Sequence, residues 1–317
     1  MIFQSLRGPI LRRVVVPLLL ACVGALLLVS QAFAARVAVV LSEDSVPYRE
    51  AYQAIRAQLD ATPHVFHPLY AEDLSAPMLG GAQLVVAVGV RATEAVAALP
   101  IRTPVLAAMV PRTWYLKAGR VQLAEGGRRE FSAVYVDQPF ERQASLIRLA
   151  LPEVRRVGVL LSADQAGLVP ELEAVLQANG LSLAAALLPA EGRLLSTMES
   201  LLPGVDLLLA VADPLVFSRS TAQSLFLTSY RYRTPVLGYS RSMTRAGALL
   251  SLHASPTQIG QQAADTAIAA LQGTAVRLPP PAYPAYFSLS TNDKVGRSLG
   301  IPLAPEAELA ARMGARP

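Results

Sequence analysis

Cysteine is almost absent from this chain of 317 residues, and so are histidine and tryptophan. The one cysteine, Cys22, lies in the apolar N-terminal stretch, so the rest of the chain has no internal disulfide and no thiol chemistry. Three histidines, His64, His67 and His253, leave little material for a metal centre. On a strand His64 and His67 face opposite sides and do not converge, so neither a metal nor another cofactor is expected. No G-x-G-x-x-G and no G-x-x-x-x-G-K-[ST] occurs, so dinucleotide and phosphate-loop chemistry lose their main signal. Charge is also sparse. Charged residues make up 16% against 53% hydrophobic, which excludes disorder and supports a large buried core.

The net charge of +5 is misleading. Residues 1–34 contain Arg7, Arg12 and Arg13 and no acid. The remainder, with 25 basic against 23 acidic residues, carries only +2. Nucleic-acid binding is therefore not indicated. The same segment reads as an export signal. Its basic start precedes a 16-residue apolar run from Val14 to Val29, and Ala32-Phe33-Ala34 fits the cleavage rule, leaving Ala35 first. A membrane-spanning helix needs about 20 residues, and Pro17 and Gly24 interrupt this run. The alternatives are a retained anchor, or lipid attachment at Cys22 through Leu19-Leu20-Ala21-Cys22. Residues 23–29 stay apolar after Cys22, however, where a lipoprotein turns polar.

Beyond residue 34 short apolar runs alternate with amphipathic ones. Arg36–Leu41, Leu84–Val88, Pro104–Ala108, Arg156–Leu161, Asp206–Val211, Pro235–Leu237 and Ala248–Leu252 have the unbroken apolar character of buried parallel strands. Phe131–Val136 alternates and closes the first series. Ala51, Ile55 and Leu59 mark one helix face, Phe140, Ala144, Ile147 and Leu151 a second, and Leu168, Leu172, Val175 and Leu176 a third that stops at Gly180. Asp213-Pro214 reads as a helix start. Ser255-Pro256-Thr257-Gln258 reads as a capping box opening a helix to Leu271. Pro279–Pro284 is a stiff connector, Phe287–Leu289 a last strand, and residues 292–298 a last helix. Two consecutive series predict an α/β protein with two doubly wound parallel-sheet lobes.

In such sheets ligands sit beyond the carboxyl ends of the strands. That selects Ser42 and Glu43 after the first strand, and Arg91 and Ala92 at a helix start after Gly89. In the second lobe it selects Ser162, Asp213, and Tyr239, Ser240 and Arg241, with His253 at a strand end. Each has a plain structural alternative as a cap, turn or packed residue, Asp213 as a helix cap above all. Arg112-Thr113-Trp114-Tyr115 reads as a loop that either contacts a ligand or partner or packs on its own lobe. Gly238-Tyr239-Ser240-Arg241-Ser242 imitates a nucleophile elbow, but no acid lies between Ser240 and the one later histidine, His253. No catalytic set emerges, and the protein is expected not to be an enzyme.

Several stretches together resemble a known family. They are residues 141–160, Asp213–Arg219 through Thr234-Pro235-Val236, Gly238, Gly247-Ala248-Leu249, residues 260–273, and Thr291–Pro302 with Leu299-Gly300-Ile301-Pro302. They resemble the ABC-transporter substrate-binding proteins related to the tryptophan-binding lipoproteins. The resemblance is clear over residues 131–305 and thinner over 35–130. It implies a type I periplasmic binding fold with the chain crossing a hinge near Tyr135, His253 and Pro284. Lobe 1 is then 35–135 with 253–283, and lobe 2 is 136–252 with 284–317. It also implies a periplasmic monomer that holds a small molecule between the lobes, with a permease and ATPase as partners. Many relatives carry acidic residues after the Gly238 position, where Ser240 and Arg241 stand here. Arg91 and Arg241, one per lobe, instead suit a carboxylate or other anion. The competing reading is a sensory or accessory ligand-binding protein of the same fold.

Overall fold

A computed structural model describes residues 37–59, 68–125, 129–189, 193–213, 215–218, 220–273 and 275–315. The export segment with Cys22, the histidines His64 and His67, and Pro214 and Arg219 lie outside the described residues.

The first series runs β1 (Val37–Leu41), α1 (Val46–Leu59), β2 (Leu69–Tyr70), β3 (Leu84–Val88), α2 (Val90–Ala97) and β4 (Val105–Val110). Next come Arg112–Trp114, a π turn at Tyr115–Gly119 and Arg120–Glu125, which form one rod, α3. The series closes with β5 (Phe131–Tyr135). All five strands are parallel, in the order β2-β1-β3-β4-β5. The unbroken apolar runs are explained by burial on both faces. Val37, Val39 and Leu41 pack with Ala51, Ile55 and Leu59 of α1, while Ala38 and Val40 face the side that carries Ala92, Val96, Tyr115 and Leu123. The predicted alternation of β5 is not one of burial: Ser132 through Tyr135 are all buried.

The second series runs α4 (Phe140–Ala150), β6 (Arg156–Ser162), α5 (Val169–Ala178), β7 (Ser182–Leu188), α6 (Leu194–Leu201), β8 (Leu207–Leu209) and α7 (Ala222–Arg231). It continues through β9 (Val236–Gly238), α8 (Arg241–Ala246), β10 (Leu250–His253), α9 (Pro256–Leu271), β11 (Ser288–Thr291), α10 (Asp293–Leu299) and α11 (Glu306–Met313). The order is β11-β10-β9-β8-β6-β7, parallel except for the β10–β11 pair. Counted from β6, the first five strands repeat the order of the first sheet, so both halves are doubly wound around the same switch point.

Helix α9 follows the second sheet but packs on the first. Its Ile259, Ala263 and Ala267 join the core around α1. Ser255 accepts from the Gln258 N–H while the Gln258 side chain accepts from the Ser255 N–H, the reciprocal cap expected from the sequence. Helices α1 and α9 touch so closely that a Cβ on Gly260 would lie 2.4 Å from the Ala51 carbonyl oxygen. The chain passes between sheets after Tyr135, after His253, and between Ala282, which bridges to Val134, and Ser288.

Four further elements differ from the sequence reading. The Asp213 carboxylate starts no helix. It accepts the Leu215 N–H within a turn, and α7 begins only at Ala222. Strand β7 and helix α6 were not expected, because Ser-Leu-Ala-Ala-Ala-Leu-Leu has weak β-propensity and forms an exposed edge. A further helix, α11, follows α10 and buries Leu309.

Candidate functional site

The structure pairs most of the strand-end residues with one another. At the first switch point Ser42 Oγ donates to the Val88 carbonyl at 3.0 Å and accepts from the Ala92 N–H at 3.0 Å, all of it buried. Gly89, at φ +91, lets Ser42 and Tyr48 approach. At the second switch point Asp213 Oδ2 accepts the Ser162 N–H at 2.7 Å while Oδ1 accepts from Leu215 at 3.0 Å. At both switch points these bonds tie the end of one strand to the segment that follows its neighbour. Glu43 and Arg91 form an exposed pair at 3.5 Å, a geometry worth ~0–1 kcal/mol. Ser240 caps α8 through the Met243 N–H, and Arg241 is exposed on the first turn. His253 is buried with Nε2 2.9 Å from Ser290 Oγ. Burial first, then Arg241, pull its pKa down to about 4, so the ring is neutral.

The concave space between the halves lies elsewhere, at the crossings. A cavity of about 130 Å³ opens where β4 and β5 of one sheet meet β8 and β9 of the other. Arg112, Thr113, Val136, Asp137 and Gln138 line it from the ends of β4 and β5, and Ala210–Ala212 and Tyr239 from the ends of β8 and β9. Phe140 and Gln143 come from α4, Gln165 and Leu168 from the turn after β6, and Tyr283 from the third crossing. Of the residues selected from sequence as ligand contacts, Tyr239 alone lines it. Of the Arg112–Tyr115 cluster, which is helical and not a loop, Arg112 and Thr113 face the cavity while Trp114 and Tyr115 pack into their own half. The glutamines and Asp137 carried no motif. The usable signal was position: Asp137, Gln138 and Gln143 follow β5, where the chain first crosses, and Gln165 follows β6.

The two halves also touch beside the cavity. Arg112 Nη1 is 2.9 Å from Glu171 Oε2 at the start of α5, Lys117 Nζ donates to the Asp164 carbonyl, and Gln165 Nε2 is 3.4 Å from Thr113 Oγ1. Asp137 accepts the Arg112 N–H at 2.6 Å. Burial raises the Asp137 carboxyl above its ordinary range, opposed by that N–H and the Arg112 charge. Burial works against the Arg112 charge, but the Glu171 bond holds its pKa above the usual value. Burial raises Tyr283 to about 12 and also raises Tyr239, so both phenols stay protonated. Three lining side chains have a buried amide atom without a partner: Gln138 Nε2, Gln143 Oε1 and Gln165 Oε1. Buried polar atoms are almost always satisfied, and these three are exceptions. Among the described residues no group of three or more His, Cys, Asp or Glu could hold a metal ion, and no helix is long and apolar enough to cross a membrane.

Two like-wound sheets joined by three crossings, with a largely apolar cavity between them that a few polar groups line, define a two-lobed protein of the type I periplasmic binding fold. Comparison with known families supplies the rest: the ABC transporter substrate binding protein model matches residues 79–311, and the chain belongs to that family. The family is one of solute-binding proteins, not of enzymes. Solved structures agree in fold. A conserved domain protein from Vibrio cholerae is 22% identical over 88% of this chain and 98% of its own, with a TM-score of 0.62. An ABC domain from Streptococcus pneumonia, solved in complex with L-Trp, is 19% identical over 86% and 98%, at 0.59. A substrate-binding protein with adhesive properties from Clostridium difficile, in a ligand-free, open structure, is 16% identical over 86% and 97%, at 0.69. No curated protein sequence matches the chain.

Proposed function

We propose that this chain is an extracytoplasmic solute receptor of an ABC transporter, exported by residues 1–34 and acting as a monomer. Its lobes are 35–135 with 253–283, and 136–252 with 284–317. A small molecule enters the cavity at the crossings, the halves close on it, and the closed form docks on a membrane permease served by an ATPase. Closure follows the ligand because only the closed state contacts it from both sides. The carrying observation is the cavity itself: both sheets contribute strand ends to it, and three of its glutamines each have one amide atom without a partner.

The test is a thermal-shift screen of the protein starting at Ala35, across amino acids, organic acids, amides, polyols and aromatic compounds. A cognate solute raises stability by about 3–4 kcal/mol at one hundred to one thousand times Kd. Ala212→Trp, which fills the cavity, abolishes that shift. A hit that survives Ala212→Trp unchanged contradicts this site, and silence across the whole screen contradicts the receptor function.

A further inference from the structure

We propose that the solute is uncharged and presents a hydrogen-bond acceptor beside a donor, the chemistry of a carboxamide, lactam or ureide. This rests on the cavity being the ligand site.

The hydrogen-bond code comes from two glutamines whose amides are fixed by one-way partners. Arg142 Nη1 lies 2.5 Å from one amide atom of Gln138. A guanidinium only donates, so that atom is Oε1, and Nε2 is left as a free donor. Gln143 places one amide atom 3.1 Å from the Gln138 carbonyl. A carbonyl only accepts, so that atom is Nε2, and Oε1 is left as a free acceptor. Both residues are more than nine-tenths buried, at 4% and 8% exposure, and both line the cavity. The orientation is held from outside the site. Arg142 also donates to the Pro284 carbonyl at 2.9 Å and lies 4.1 Å from the centre of the Phe287 ring, so the third crossing clamps Gln138. Arg142 is a positioning residue.

The charge balance excludes an ionic guest. The guanidinium that lines the cavity, Arg112, is engaged by Glu171, and its N–H by Asp137. An anion entering here meets the Asp137 carboxylate and finds no free cation among the described lining residues. Burying an unpaired charge costs several kcal/mol. A cation fares little better, because Asp137 is already opposed by Arg112 and accepts backbone N–H groups. An amide needs no counter-charge and answers Gln138 and Gln143 together, while Val136, Phe140, Leu168 and Val211 receive a short apolar body.

The experiment compares matched sets sharing one carbon skeleton: propionamide, propionate and propylamine; benzamide, benzoate and benzylamine; then lactams, ureas and polyols. Calorimetry and thermal shift are read on wild type, Gln138→Glu and Gln143→Leu, with each variant's melting without ligand as the folding control. The expected result is binding by an amide, lactam or ureide at least tenfold tighter than by its acid or amine. Gln138→Glu keeps an acceptor for Arg142 but turns the free donor into an acceptor, and it should weaken that binding at least tenfold. Gln143→Leu provides the same reading should Gln138→Glu melt early. Tighter binding of the acid, the amine or only the polyols overturns the class assignment while leaving the receptor function standing. Silence from every compound overturns both.

Discussion

Replacing Ser42 with alanine removes a hydroxyl that sits between β1 and the first turn of α2. Ser42 Oγ accepts the Ala92 N–H and donates to the Val88 carbonyl, both at 3.0 Å. The carbonyl keeps a second donor, the Ser42 N–H at 3.0 Å. The Ala92 N–H keeps none, and Ala92 is fully buried. One orphaned buried donor costs about 1–3 kcal/mol. With a urea dependence of about 2.5 kcal/mol/M, a loss of about 2 kcal/mol moves the midpoint down by roughly 0.8 M. Affinity for the cognate solute should change less than threefold, because Ser42 does not line the cavity. An unmoved midpoint together with a collapse of affinity would refute the structural assignment and restore Ser42 as a ligand contact.

Gly260→Ala forces a methyl into the Ala51 backbone and should cost about 3 kcal/mol, since neither helix backbone can yield alone; Gly167→Ala, with nothing within 4 Å, should stay within about 0.5 kcal/mol in the same thermal melts. His253 is held neutral with a folded pKa of about 4 against 6.5, so its contribution is complete above pH 6.5 and drains as the pH falls toward 4, by about 1.4 kcal/mol per unit. Denaturation of His253→Gln between those pH values should show a shallower slope than wild type, and equal slopes would contradict the assignment. Buried Arg129 donates to the Val96, Ala97 and Leu99 carbonyls at the end of α2, so Arg129→Met should lower stability by about 2 kcal/mol in urea titration.

Most of the fold was legible because burial writes itself into composition. Runs such as Leu84–Val88 are apolar throughout because helices cover both faces of their strand, and the Ser255–Gln258 cap is a local code that needs no tertiary information. Strand β7 was invisible because an exposed alanine-rich edge has neither the periodicity nor the residue types of a strand. The candidate site was harder for a different reason. Strand-end residues stand out in sequence whether they meet a ligand or hold the backbone, and Ser42, Ala92, Ser162 and Asp213 make hydrogen bonds within their own half. Gln138, Gln143 and Tyr283 come together only when residues more than 130 positions apart fold onto the crossings, and nothing local marks them.

Small-angle X-ray scattering with and without the solute found by screening bears most directly on closure around a guest. The free protein should show a radius of gyration near 19–20 Å or slightly above, as expected for this length. Saturation with solute should shrink it measurably, and Ala212→Trp should remove the response to added solute. An unchanged radius at full occupancy of the wild-type protein would contradict the account.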